Sequence, residues 1–267
     1  MRKLMTILAL GCTSNMWAQG EVIRLEPRIL LDGCYVASAG LMHDSLRTKQ
    51  LIPEEEPFSA LGYFHVGGGG GEQILPGVLN VEGPDAIVDW VVVELREAAA
   101  NGFRVATQSA LLQRDGDVVG MDGFSAIVFD VPNDFYFLSI KHRNHLGVMT
   151  SSAYYFGPDA LPLDFTALAT PIWGVLGRRF VGSRALLWCG DANGNGQVKY
   201  TGNGNDRDQI LSLVGGTSPN VSLTGYYRQD VNMDGRVRYT GTGNDRDRIL
   251  TTIGGTMPNA TRTGQVP

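Results

Sequence analysis

The sequence contains few of the residues on which enzyme chemistry most often depends. Among 267 residues there are four histidines and three cysteines. No G-x-S-x-G, H-E-x-x-H or C-x-x-C motif occurs, so the common signatures of serine hydrolases, zinc proteases and thiol oxidoreductases are missing. The glycine run at 67–71 lacks the Lys-Ser/Thr that follows it in a phosphate-binding loop. We therefore expect a protein that is not an enzyme.

Charge and long apolar runs are also scarce. Charged residues make up 18% of the chain and the net charge is −5, so nucleic acid is not an expected partner. Beyond the N-terminus no run approaches the roughly 18 apolar residues of a transmembrane helix. The mature chain is therefore expected to lack a transmembrane segment.

The N-terminus has the pattern of an export signal. Arg2 and Lys3 precede a short apolar run, and Ala18 offers a small residue for cleavage after residue 18. Residues 1–18 are therefore predicted to be a signal peptide, and the mature protein to be secreted or held at the cell surface. Cys12, which follows Gly11, leaves a lipoprotein signal as one alternative, and a buried N-terminal strand is another.

Two cysteines remain after such a cleavage, Cys34 and Cys189. Exported proteins keep disulfides, so the two thiols could be bridged. Two free buried thiols are equally compatible with the sequence.

Residues 19–183 have the pattern of a mainly β domain. Short apolar segments alternate with Gly-, Asp-, Asn- and Pro-containing turns, which is typical of an antiparallel β-sandwich. The predicted strands lie at 85–97, 104–113, 124–131 and 135–150. The glycine run at 67–71 is expected to be a flexible surface loop, and about 157–180 a connector between domains.

A few residues of this domain belong to types that often have functional roles. His142 and His145 lie three apart, which on a strand places them on opposite faces, so they are expected to be surface or edge residues rather than metal ligands. Glu54–Glu56 could supply a pair of carboxylates for sugar hydrolysis, but a charged run between two prolines is expected to be a solvated loop. Trp90, in an apolar strand, is expected to be core.

An internal repeat organises residues 184–267. Residues 191–225 and 230–264 are identical at 21 of 35 aligned positions. This degree of self-similarity indicates two copies of one supersecondary unit.

Each copy begins with oxygen-bearing side chains at alternate positions, followed by a glycine. Calcium takes six to eight oxygen ligands, and a loop of this pattern can wrap around the ion. Two calcium ions are therefore predicted. The predicted early ligands are Asp191, Asn193, Asn195 and the carbonyl of Gln197 in the first loop, and Asp230, Asn232, Asp234 and the carbonyl of Arg236 in the second.

The ligand that closes each loop is expected at the start of the following helix. An EF-hand closes with a carboxylate near this point, but both copies carry an inserted "YTGxG" and a glycine there. The first aspartate of "NDRD" is one candidate in each copy, and the second is its competitor. These candidates are Asp206 and Asp245, with Asp208 and Asp247 as the alternatives.

The segments "DANGNGQV" and "DVNMDGRV" resemble the first part of type I dockerin calcium loops, with the "YTGxGNDRD" insertion as a departure. The chain resembles secreted Bacteroidetes-type proteins that join a hemagglutinin-like domain to a dockerin-like tail. This resemblance implies a non-catalytic, calcium-binding surface or docking protein. It also implies a cohesin-like or cell-envelope partner.

Two other functions fit the same sequence. The β domain could bind or hydrolyse carbohydrate as an accessory component of polysaccharide degradation, with a surface glycan as its partner. It could also act as an adhesin. No motif in the sequence separates these alternatives.

Overall fold

The computed structural model describes residues 22–100 and 102–267, and the expected signal peptide lies outside this part of the chain. The fold is mainly β, with few helices. The strands are β1 (Ile23–Arg28), β2 (Tyr35–Val36), β3 (Leu41–Met42), β4 (Ile87–Glu97), β5 (Arg104–Gln113), β6 (Val118–Val119), β7 (Ile127–Phe129), β8 (Asp134–Lys141), β9 (Val148–Met149), β10 (Tyr154–Phe156), β11 (Leu161–Asp164), β12 (Arg179–Val181), β13 (Arg184–Leu186), β14 (Gln197–Lys199), β15 (Ser222–Thr224), β16 (Arg236–Arg238) and β17 (Thr261–Thr263). The helices are α1 (Ser45–Thr48), α2 (Asp206–Leu213) and α3 (Asp245–Thr252), with one 3-10 turn at Val78–Asn80.

Two sheets form the larger part of the fold. One has the strand order β10-β8-β4-β5-β6, with β9 also paired to β8, and the other has the order β11-β1-β7. All pairings in the larger sheet are antiparallel, as expected. The predicted strands at 85–97 and 104–113 are confirmed as β4 and β5, which pair along almost their whole length.

The hydrophobic core joins the two sheets. Ile23 and Leu25 of β1 belong to the same buried cluster as Val91 and Leu95 of β4. Strand β4 is central in its sheet and is buried along ten of its eleven residues, which explains its run of Val and Ile. Trp90 is fully buried, as predicted, and its indole N–H donates to the carbonyl of Pro53 at 2.9 Å.

The glycine run lies along the edge of β5. A Cβ built on Gly67 would lie 2.2 Å from the carbonyl oxygen of Val105, and one built on Gly69 would lie 2.1 Å from that of Thr107. The run therefore lies directly against the half of β5 that β6 leaves uncovered. The Thr107 N–H donates to the carbonyl of Val66 at 2.9 Å, which fixes the start of the run on this edge. Glycine is required here for close backbone approach rather than for mobility.

The expected connector at about 157–180 contains part of the β domain. Strand β11 pairs in parallel with β1, with Leu25 opposite Leu161. Parallel pairing needs a long crossover connection, so no local turn signal announces it in the sequence.

The two repeats form a small module with exchanged strands. Strand β14 of the first repeat pairs with β17 of the second, and β16 of the second pairs with β15 of the first. The Thr201 hydroxyl bonds with Asn259 at 2.8 Å, and the equivalent Thr240 bonds with Asn220 at the same distance. Each repeat therefore completes the other, and their side chains share one buried cluster that includes Val198, Ile210, Val237 and Ile249.

Candidate metal centres

The first aspartate of each repeat shapes the turn that follows it. In the first loop the Asp191 carboxylate accepts the N–H groups of Asn195 at 3.0 Å and Gly196 at 2.9 Å. Gly196 has φ +77°, a left-handed conformation that favours glycine at this sharp turn. The side-chain oxygens of Asn193 and Asn195 each accept the N–H two residues ahead, so the loop winds around its own oxygens.

The second loop repeats this arrangement. The Asp230 carboxylate accepts the N–H groups of Asp234 at 3.1 Å and Gly235 at 2.8 Å. Asn232 accepts the Asp234 N–H at 2.9 Å, and Asp234 accepts the Arg236 N–H at 2.9 Å. Two sequences that differ at several loop positions therefore reach the same local geometry.

The first aspartate of each helix lies against the loop. Asp206 accepts the N–H groups of Ala192 and Lys199, each at 2.8 Å. Asp245 accepts the equivalent N–H groups of Val231 at 2.9 Å and Arg238 at 2.8 Å. Both side chains are buried, so each loop encloses a carboxylate at its beginning and another from its helix.

The second aspartate of each helix faces away from the loop. Asp208 pairs with Arg207 at 2.9 Å and Asp247 pairs with Arg246 at 2.9 Å, and both carboxylates are about half exposed. The preceding asparagine caps each helix: its side chain accepts the N–H of Asp208 in the first copy and of Asp247 in the second. The two candidates for the closing position in each copy therefore differ in their contacts. Only the first aspartate of each helix, Asp206 or Asp245, contacts the loop.

In the described part of the chain no cationic side chain lies at ion-pair distance from Asp191, Asp206, Asp230 or Asp245, whereas Asp234 pairs with Arg238. Burial, reinforced by the charge of Asp191, raises the pKa of Asp206 to about 7. Burial also raises the pKa of Asp230 to about 7, and raises that of Asp245, with Asp230 as the second cause. Each loop therefore concentrates negative charge in a partly dehydrated space.

The remaining predicted ligands are main-chain carbonyls. Gln197 lies in β14 opposite Thr263, and Arg236 lies in β16 opposite Thr224. The Arg236 side chain is exposed, which fits a residue whose carbonyl rather than side chain is the expected ligand. Among residues 22–100 and 102–267 no group of three or more His, Cys, Asp or Glu has the arrangement of a metal site. The predicted ligand sets differ from such groups because they also use Asn and carbonyl oxygens.

One residue of the β domain contacts the beginning of both loops. The Asn144 side chain donates to the carbonyls of Arg228 at 2.9 Å and Asp230 at 2.7 Å. The main-chain carbonyl of Asn144 accepts the N–H groups of Gly190 at 3.0 Å and Asp191 at 3.2 Å. Asn144 is fully buried, so both loops are fixed to the larger domain at their first residues.

Asp89 of β4 is the centre of a buried polar cluster beside Asn144. It accepts from Arg143 at 3.0 Å, from His142 at 3.1 Å and from the Tyr226 hydroxyl at 2.5 Å. Burial alone would raise the pKa of Asp89, but the Arg143 charge and the His142 hydrogen bond outweigh it and hold the pKa at about 2. Asp89 is therefore a buried anion that is paired with Arg143 and hydrogen-bonded to His142 and Tyr226.

His142 and His145 are not surface residues on opposite faces. Both are buried, and their Nδ1 atoms lie 3.0 Å apart. The strand β8 ends at Lys141, so the two-residue alternation no longer applies to the segment that carries them. The Gly33 N–H donates to His145 Nε2 at 3.0 Å, which completes a chain of hydrogen bonds from Gly33 to Asp89.

Glu56 also differs from expectation, because it is buried rather than solvated. Its carboxylate accepts the N–H groups of Phe58 at 2.7 Å and Ser59 at 3.2 Å, so it shapes a turn. These bonds hold its pKa below the usual value against the opposing effect of burial. A carboxyl that ionises this readily is a poor proton donor for sugar hydrolysis.

Cys34 and Cys189 are both free and buried. The Arg248 guanidinium donates to the Cys189 sulfur at 3.0 Å, and burial raises the Cys189 pKa to about 11. Of the two alternatives for these cysteines, the structure has two free buried thiols and no disulfide between them.

Sequence reasoning missed the junction residues Arg143, Asn144 and Tyr226. A signal for them exists in "HRNH" at 142–145, four polar residues that directly follow the apolar strand β8. A second signal is "YYR" at 226–228, which lies between the two repeats and belongs to neither.

Comparisons with protein-family models, with curated proteins and with solved structures find no match to this chain. In the described residues no helix has the length and apolar character needed to cross a bilayer. The functional interpretation therefore depends on the geometry of the loops and of the junction beside them.

Proposed function

We propose that the protein is a calcium-stabilised, non-catalytic binding protein of the cell exterior. The observation that carries the proposal is the pair of buried carboxylates in each repeat loop. An ionised carboxylate that is buried without a cationic partner is unfavourable, and a divalent cation coordinated by several of the loop oxygens removes the penalty. Two loops of the same design make an accidental arrangement a poor explanation.

The oxygens that would hold each ion come from the same positions in both copies. The carboxylate and carboxamide oxygens retain acceptor capacity after their hydrogen bonds to the loop N–H groups, because each oxygen has two lone pairs. We infer that the ion neutralises the loop and completes its folding. The proposed ligands are Asp191, Asn193, Asn195, Asp206 and the Gln197 carbonyl, and Asp230, Asn232, Asp234, Asp245 and the Arg236 carbonyl.

The proposal includes a β-sandwich joined to a dockerin-like module. The two sheets with a common core support the first part, and the tandem loop–helix units support the second. The Asn144 side chain donates to the Arg228 carbonyl and Arg143 donates to the Tyr227 carbonyl, and these contacts with the module argue that calcium stabilises the whole protein rather than a separate tail. The expected partner is a cohesin-like or cell-envelope protein.

A role in polysaccharide binding is the second candidate, and exposed aromatic residues favour it. Phe135 and Tyr155 are each more than half exposed and form an edge-to-face pair with ring centroids 5.6 Å apart. Aromatic faces on a sheet edge can support a sugar ring. A glycan array with the Phe135→Ala and Tyr155→Ala variants tests this candidate, and unchanged glycan binding by both variants would count against it.

Limited proteolysis of residues 19–267 tests calcium-driven folding. The mature chain is digested in calcium and in chelator, and the cleavage sites are mapped by mass spectrometry. We expect calcium to suppress cleavage between residues 190 and 250, with magnesium as the control cation. Identical digestion patterns in calcium and in chelator would overturn the proposal.

A further inference from the structure

A cavity of about 420 Å³ lies between the larger sheet and the first repeat loop. A second cavity, of about 450 Å³, shares Leu61, Arg143 and Arg228 with it. The first cavity has a volume within the range of about 300–1,000 Å³ that is typical of small-molecule sites. Asp191 and Asn195, which are proposed calcium ligands of the first loop, form part of its wall, but no proposed activity assigns a ligand to the space itself.

Arg143 points to an anionic ligand. Its Nε donates to Asp89 at 3.0 Å, its Nη1 donates to the Tyr227 carbonyl, and its guanidinium stacks on the Tyr226 ring at 4.4 Å. Its Nη2 is buried and has no hydrogen-bond partner, although buried donors are nearly always paired. The side chain is therefore held rigidly with one donor left over, and the residue lines both cavities.

Two further cations line the first cavity. Arg228 makes no ion pair with any residue of the described chain, and its Nη1 donates to the Asn193 carbonyl at 3.2 Å. Lys141 lies 3.4 Å from Glu94, but Glu94 is also paired with Arg96 at 2.8 Å, so two cations share one carboxylate. The cavity lining therefore contains three cationic side chains, Lys141, Arg143 and Arg228, and one carboxylate side chain, that of Asp191, so positive side chains outnumber negative ones.

Part of the cavity lining is apolar. Phe58, Leu61 and Val92 contribute to its lining, together with the ring of Tyr63. A bare inorganic anion would leave this surface without a partner. A ligand that combines an acidic group with a compact organic body would use both parts of the cavity.

We propose that this cavity binds a small organic carboxylate, such as an acidic sugar, whose carboxylate contacts Arg143 and Arg228 and whose body packs against Leu61 and Phe58. A guanidinium matches a carboxylate through parallel N–H donors, which makes arginine the natural partner for this group. The site lies at the junction between the β domain and the repeat module, because Asp191, Asn195 and Arg228 contribute to its wall. The inference goes beyond the proposed function by assigning a ligand class to this junction.

Three probes separate the charge of the ligand from its body. Residues 19–267 are titrated by calorimetry with galacturonate, which has both features, with galactose, which lacks the carboxylate, and with acetate, which lacks the body. We expect saturable binding of galacturonate and at least about tenfold weaker binding of the other two. Equal affinity for galactose, equal affinity for acetate, or no binding of galacturonate would each overturn the proposal.

A matched pair of variants locates the site. Arg228→Gln removes a cation that lines the cavity, and Arg24→Gln makes the same change on an exposed residue of β1. We expect Arg228→Gln to weaken galacturonate binding at least about tenfold and Arg24→Gln to leave it unchanged. Thermal unfolding of both variants checks that the fold is retained. Lys141→Gln serves as a second cavity variant if Arg228→Gln is unstable, and unaltered affinity in a folded cavity variant would overturn the assignment.

Discussion

Two aspartates in the same helical turn have different environments. Asp206 is fully buried against the first loop, whereas the Asp208 carboxylate is about half exposed and paired with Arg207. The residue type is identical and only the position in the turn differs. Position therefore decides which carboxylate can act as a ligand.

We expect Asp206→Asn to abolish calcium binding in the first loop and Asp208→Asn to leave it intact. The first change replaces a charged ligand with a neutral side chain of nearly the same shape, and the calcium affinity of such loops depends on the charge of their ligands. Calorimetric titration of residues 19–267 should give one ion for Asp206→Asn and two for Asp208→Asn. The reverse order would show that the loop is closed by the second aspartate, and the equivalent pair Asp245 and Asp247 provides an independent repeat.

The buried histidine pair predicts a pH-dependent stability. Burial lowers the pKa of His142, and burial together with the neighbouring His142 lowers that of His145 well below the usual value. The folded state then binds fewer protons than the unfolded state, so the stability is present above the unfolded pKa of about 6.5 and is lost as the pH falls below it. The expected slope is up to about 1.4 kcal/mol per pH unit for each histidine that stays neutral in the folded state.

Chemical unfolding at pH 7.5 and pH 5.5 in saturating calcium measures this slope. The His145→Gln variant removes one of the two groups and should show a smaller loss of stability between the two pH values. The wild-type chain also contains His43, whose pKa burial lowers, and the variant retains it. Equal slopes in the wild type and the variant would contradict the prediction.

The histidine pair also shows the limit of sequence reasoning at the scale of residues. The prediction that His142 and His145 lie on opposite faces assumes that they belong to a strand. Strand β8 ends at Lys141, so the alternation of faces does not apply to them. Glu56 was placed in a solvated loop because its neighbours are charged, but it caps a turn with its carboxylate. Local composition does not reveal which side chains tertiary contacts will enclose.

At the scale of elements, strongly patterned segments were predicted well. Strands β4 and β5 are long, rich in β-branched residues and joined by turns, so local signals and tertiary packing agree. A helix was also predicted after each loop, and the two helices begin at Asp206 and Asp245, the first aspartates of "NDRD". The parallel pairing of β11 with β1 could not be predicted, because it depends on contacts between segments that are far apart in sequence.

The glycine run at 67–71 leads to a prediction that its composition alone does not suggest. Gly69→Ala should destabilise the protein more than Gly68→Ala. Both residues have positive φ, so alanine is strained at either position, but only at Gly69 would the new Cβ meet backbone, 2.1 Å from the Thr107 carbonyl oxygen. The strain common to both is about 1–2 kcal/mol, and the overlap should add about 1–3 kcal/mol at Gly69.

Urea unfolding of the two variants measures the difference. Gly68→Ala is the matched control, because a Cβ built there meets nothing within 4 Å. Equal destabilisation would indicate that the run moves freely on the edge of β5, as its composition suggests.

At the scale of the whole molecule, the repeat module and the β domain share a polar interface. Arg248 of α3 contacts Asp32 at 2.6 Å, and the Tyr226 hydroxyl contacts Asp89 of β4. Because the two parts share these contacts, folding of the module is expected to stabilise the larger domain. The sequence predicted the two copies of the module from their identity, but it contained no pattern that indicated this interface.

Asn144 is the residue at which this coupling is most directly testable. Asn144→Ala removes three side-chain hydrogen bonds: two to the carbonyls of Arg228 and Asp230, and one between its Oδ1 and His145 Nδ1 at 2.8 Å. Loss of a buried partner costs about 1–3 kcal/mol for each carbonyl, so we expect a destabilisation of about 2–6 kcal/mol from these two groups. The Asn144 main chain still accepts the N–H groups of Gly190 and Asp191, so the first loop keeps its attachment.

The substitution should therefore weaken calcium binding in the second loop and spare the first. Asn144→Ala is combined with Asp206→Asn, which leaves only the second loop, and separately with Asp245→Asn, which leaves only the first. Calcium affinity measured by calorimetry should fall in the first combination and stay nearly constant in the second. Asn80→Ala, at an exposed residue of the 3-10 turn, is the control for the loss of an asparagine side chain. An equal effect on both loops would mean that Asn144 acts through general stability, and no effect on either would mean that the interface does not position the loops.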